Sequence, residues 1–222
     1  MSISTNTQSN QASSAITTNG VLKNTYMLLS MTLAFSALVA GIAMAFNLPH
    51  PGLILALVGY FGLLFLVSKN QNSSAGIGFV FALTGFMGYT LGPILNSYLS
   101  LPNGGQVVMM AMAGTATIFM ALSFYAVSTR RDFSFMGSFL MVGILVGFLA
   151  ALAAIFFEMQ GLSLAVSAMF VLLMAGLILY ETSNIINGGE TNYIMATVTL
   201  YVAIFNLFTS LLHLIGAMGQ SE

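Results

Sequence analysis

Long apolar runs separated by short polar breaks organise this chain. Seven can be marked, at about 26–46, 52–67, 75–95, 107–127, 135–157, 163–186 and 193–218. Most approach the roughly 20 residues a helix needs to cross a bilayer. The first is closed by "NLPHP", whose two prolines cannot continue a helix. "SKNQNSS", "SLPNGGQ", "STRRDFS" and Glu158 with "MQG" close the second to the fifth, and Asn187-Gly188-Gly189 closes the sixth. No repeat of fixed period stands out. The pattern predicts an all-α integral membrane protein, a seven-transmembrane-helix bundle over residues 23–222.

Residues 1–22 have a different texture. "MSISTNTQSNQASSAITTNG" carries no charged side chain and few apolar ones, so it is expected to be a flexible polar tail. The run from Tyr26 to Phe46 is longer than a signal-peptide core of about 7–15 residues. It also lacks a strongly basic leader, which makes it a retained first span.

Small and polar residues inside the runs refine the bundle. Gly85, Gly88 and Gly92 fall on one side of the third helix, with Gly78 two turns back, and Gly143 and Gly147 repeat the spacing in the fifth. In lipid such glycines let helix backbones approach closely, so they are assigned to packing. On the seventh helix Asn192, Thr199, Asn206, Ser210 and His213 share a narrow face. A polar stripe in a membrane helix turns inward, which predicts that the last helix is central. The stripe serves either as interhelical hydrogen-bonding glue or as a proton or ion path. His213 is its one member that titrates near neutral pH without help.

Composition then narrows the function. Hydrophobic residues make up 58% of the chain and charged ones 4%, too few to coat a water-soluble domain. The net charge of −1 and the scattered bases give no handle for nucleic acid. Without cysteine there is no disulfide and no thiolate chemistry. With the N-terminus in the cytoplasm, Lys23, Lys69, Arg130 and Arg131 all fall on the cytoplasmic side, as the positive-inside rule requires. Seven spans then leave the C-terminus in the periplasm.

The usual intramembrane catalytic sets are missing. There is no H-E-x-x-H, the single Asp, Asp132, lies in a charged loop, and Gly161-Leu162-Ser163 lacks the second glycine of a nucleophile elbow. An enzyme is not expected, nor a metal or cofactor. The remaining chemistry lies in "YETSNIINGGETNY" from Tyr180. Glu190 precedes the seventh helix, where its dipole favours an acid. Glu181 lies about five residues inside the sixth helix, roughly 7–8 Å from its end. It is either a partly desolvated carboxylate with a role in sensing ions or protons, with Asn206 and His213, or an acid wetted at headgroup level. Lys69 and Arg131 are its candidate charge partners.

"GFMGYTLGPILNSYL", "LYETSNIINGGETNYIMATVTLY" and "NLFTSLL" resemble the transmembrane Bax-inhibitor-motif family, in particular its bacterial YccA branch. The similarity extends through "LKNTYMLLSMTLAFSAL" and "LPHPGLILALVGYFGLLFL" to nearly the whole chain after the tail. It implies seven helices with the last surrounded by the other six. It also implies one of two functions. Members of the YccA branch modulate the membrane-bound AAA protease FtsH in the inner membrane, with the polar tail as the protease's handle. Other members leak calcium through a pH-sensitive pair of acids on the last two helices. Glu181 matches the first acid of that pair, whereas the second position holds Ala203. Lone Glu181 cannot share a proton as two carboxylates do.

Overall fold

The computed structural model describes the backbone of residues 3–219 and the side chains of residues 18–219. Of the expected tail, the side chains of residues 1–17 lie outside the described residues. Seven α-helices follow one another: α1 Ile3–Ala45, α2 Leu53–Asn70, α3 Ser74–Leu99, α4 Gly104–Thr129, α5 Gly137–Phe156, α6 Gln160–Ile186 and α7 Tyr193–Gly219. A short 3-10 turn, Ser134–Met136, leads into α5. All seven are long and apolar enough to cross a membrane, α1 through its Thr18–Ala45 portion. The first span thus starts earlier than the expected Tyr26. Val21 and Leu22 already pack against the core, which is why the helix is not interrupted at residue 22.

The outward surface is apolar, with Phe124, Phe139 and Leu172 exposed. Burial of apolar area gives helices in lipid no drive to associate, so close packing must do so. The α1–α3 contact shows how. A β-carbon on Gly85 would lie 2.8 Å from the Phe35 ring, one on Gly92 would strike Ala43, and one on Gly88 would fall on the Ser36 carbonyl oxygen. Gly78 faces open space instead and takes no part in this seam. On the far side, Gly143 and Gly147 make room for Leu173, Met169 and Phe170 of α6.

Helix α7 packs against α1, α2, α3, α4 and α6, while α5 rests on α6. Helices α1 and α4 have no close backbone approach, although the rings of Tyr26 and Phe119 meet across the gap. Between them opens an apolar cavity of about 420 Å³, backed by Ile204, Phe205 and Phe208 of α7. One hydrogen-bonded junction ties three helices beside it. The Ser36 hydroxyl lies 2.5 Å from that of Tyr201, which also reaches the Thr84 carbonyl at 3.3 Å.

The turns follow from their residues. Asn47 and Gly52 adopt positive φ between α1 and α2, and Gly188 does so after α6, at 77°. The Gly189 N–H then returns to the Asn184 carbonyl at 2.9 Å, satisfying the helix end.

Candidate functional site

Lys69, Arg131 and the α6–α7 turn share one end of the bundle. The Ser183 hydroxyl donates to the Arg131 carbonyl at 2.8 Å, and the Phe133 N–H donates to Ser183 at 3.1 Å. The Asn192 amide donates to the Gln71 carbonyl at 3.0 Å, fastening the start of α7 to the end of α2. Asn192 is also the cap of α7, accepting from the N–H groups of Ile194 and Met195. Beside it the Glu190 carboxylate accepts the Asn192 N–H at 2.6 Å, where the dipole of α7 favours a negative charge. Across the end, Asp132 accepts the Ser134 N–H at 2.8 Å, and this bond holds its carboxyl below the usual carboxylate range.

Glu181 lies within this end, on the inner face of α6 between Ile178 and Ile185. Only 4% of its surface is accessible, and its Oε1 has no hydrogen-bond partner. Lys69 and Arg131 are exposed, so the structure does not bring either base to that oxygen. Two more buried polar atoms share this condition, the hydroxyls of Thr25 on α1 and Ser123 on α4.

Neighbouring contacts draw these three groups to one level of the bundle. Tyr26, next to Thr25, places its hydroxyl 3.3 Å from that of Thr182, next to Glu181. The Tyr26 ring meets Phe119, one turn from Ser123, with centroids 6.0 Å apart. Thr197 of α7 donates to the Thr25 carbonyl at 3.3 Å. Burial without a partner costs on the order of 1–3 kcal/mol per polar group, so three such atoms mark a place where stability is given up.

The rest of the expected set lies elsewhere. Ala203 is fully buried in an apolar cluster with Ile178, Leu207 and Leu173. The Asn206 amide donates to the Val202 carbonyl of its own helix at 2.8 Å. The His213 ring bonds the Ser167 hydroxyl at 2.8 Å, several turns along α7 from the start that carries Asn192. Helix α7 thus carries separate polar ties rather than one continuous set. Sequence reasoning passed over Thr25, Ser123, Ser36 and Tyr201. For Tyr201 a signal existed, since Thr197 and Tyr201 are spaced four apart and share a helix face. Among the described residues no cluster of His, Cys, Asp or Glu is suited to hold a metal ion.

Comparison with known proteins agrees with this architecture. The chain matches the family described as Bax1-I, inhibitor of apoptosis-promoting Bax1, over residues 18–220. An uncharacterized protein of Pseudomonas aeruginosa is 54% identical over 204 residues, 92% of each chain. The modulator of FtsH protease YccA of Escherichia coli K12 is 53% identical over 208 residues, 94% of each chain. A second Escherichia coli strain has an inner membrane protein YccA with the same identity and coverage. With a match that runs through all seven helices, the chain belongs to the Bax1-I family.

Proposed function

We propose that this chain is a multi-pass inner-membrane protein that binds and modulates a membrane-bound AAA protease of the FtsH kind. The observation that carries this reading is the 53% identity to the FtsH modulator YccA over 94% of both chains. The architecture is compatible with a regulatory role, being a bundle closed by glycine seams with an apolar exterior. The four basic residues support an orientation with the N-terminus in the cytoplasm and the C-terminus in the periplasm. A tail on the cytoplasmic side would give the protease its point of attack.

Co-purification from membranes tests the partner. The protease is expected to be recovered with this protein, and degradation of a membrane substrate is expected to slow as its level rises. Removing residues 1–20 is expected to lengthen its own lifetime beside the protease. Failure to recover the protease together with an unchanged degradation rate would overturn the proposal.

A second reading, a cation or proton leak, is favoured by one observation, the buried Glu181 whose Oε1 has no hydrogen-bond partner among the described residues. Ala203 weighs against it, since it leaves a single acid where the family's leak members have two. Purified protein in proteoliposomes separates the readings. Calcium or proton flux abolished by Glu181→Gln would support the leak, and absence of flux would sink it.

A further inference from the structure

We infer that a groove at the basic end of the bundle binds the headgroup of an anionic phospholipid that carries a hydroxyl. The groove has a volume of about 480 Å³ and runs between α1 and the ends of α4 and α6. Its polar lining is Thr18, Asn19, Arg130 and Asn187, and its aliphatic lining is Leu22, Val127 and Ile186. On each helix the polar residues stand at the end of the span or just past it, and on α1 and α4 the aliphatic one lies about a turn further in. That division suits the point where a lipid passes from phosphate and glycerol into acyl chain. This inference stands independently of the protease reading.

The charge is complementary. Arg130 is the one charged residue lining the groove, and its guanidinium has no carboxylate or hydrogen-bond partner among the described residues. It ends α4 in a left-handed conformation, with φ 50° and its N–H bonded to the Ala126 carbonyl at 3.0 Å. A planar guanidinium can grip two phosphate oxygens at once. Lys23, one turn beyond Asn19, and Arg131 add to the positive potential. Basic pockets between membrane helices favour anionic headgroups for this reason.

A hydroxyl on the headgroup has a partner too. The Asn187 amide nitrogen is committed to Ser183, at 3.0 and 3.1 Å, and to the Arg131 carbonyl at 3.4 Å. Its side-chain oxygen is left as an acceptor at the groove. Phosphatidylglycerol supplies both chemistries, a phosphate for Arg130 and hydroxyls for Asn187. The exposed aliphatic flank at Val127 continues into the lipid-facing surface of α4, which favours a lipid over an acidic peptide.

Native mass spectrometry of the full-length protein in neutral detergent tests this, with phosphatidylglycerol and phosphatidylcholine of equal chain length as probes. Phosphatidylglycerol is expected to be retained preferentially. Arg130→Gln is expected to weaken it about fivefold, as for one basic side chain at the headgroup level. Lys69→Gln, outside the groove at the same end, is expected to leave it unchanged. Equal retention of the two lipids overturns the site, as does an equal loss in both variants. Inorganic phosphate bound as tightly as the lipid would assign the groove to a free anion, and an acidic peptide displacing the lipid would assign it to a protein partner. Either result overturns the inference. Should Arg130→Gln unfold early, Asn19→Leu probes the groove from α1 and is expected to weaken phosphatidylglycerol alone.

Discussion

Gly88 of α3 rests against the main chain of Ser36 on α1, where a β-carbon would meet the carbonyl oxygen itself. Backbone cannot yield as a side-chain tip can. Gly88→Ala is therefore expected to lower stability by about 1–3 kcal/mol, the usual cost of overpacking. Gly78→Ala, which would enter open space on the same helix, is expected to be neutral or to gain up to about 1 kcal/mol from helix propensity. Thermal unfolding in detergent compares the two, and equal effects would show that the seam is not the cause.

Tyr201→Phe removes the hydroxyl that joins α7 to Ser36 and to the Thr84 carbonyl. Ser36 would be left buried without that partner, so a loss of about 1–3 kcal/mol is expected. Adding Ser36→Ala is expected to restore part of it, because the two changes remove one interaction. Strictly additive losses in the double variant would contradict this coupling.

Ala203→Asp places a carboxyl among Ile178, Leu173 and Leu207. It is expected to cost roughly 3 kcal/mol, the scale for an acid in the middle of a membrane helix. A variant as stable as the parent would show that the position is wet or that Glu181 accommodates the second acid. Denaturation of the purified protein in detergent decides between them.

Asp132 gives a pH dependence. The Ser134 N–H depresses its pKa in the folded state, so its contribution to stability is present above the ordinary carboxylate range. That contribution is lost as pH falls through that range towards the depressed value. Unfolding midpoints measured across acid pH are expected to fall less for Asp132→Ala than for the parent.

The seven helices could be read from the sequence because in lipid every backbone polar group must be satisfied within the helix, which makes long apolar runs nearly unambiguous. The ends were harder. Val21 and Leu22 lie in a polar neighbourhood yet pack on the core, and that is decided by helices far along the chain. Glu181 could be singled out as an acid inside a helix. Its burial beside the level of Thr25 and Ser123 could not, since those residues come from three helices and have no shared spacing. Gly78 shows the same limit: its register matches the seam, but α1 is not there to meet it.

The separation of α1 from α4 has a mechanical consequence. A pull along α1 from its N-terminal side meets α4 through side chains such as the Tyr26–Phe119 ring pair and not through close backbone, so it loads mainly the α1–α3 glycine seam, with α6 and α7 sharing the load. That seam is stressed in shear, with Phe35, Ser36 and Ala43 each seated against a glycine. Sliding by a single helical turn would have to unseat all of them together. The first helix would thus resist extraction as a ratchet does, giving way in a step rather than by gradual peeling.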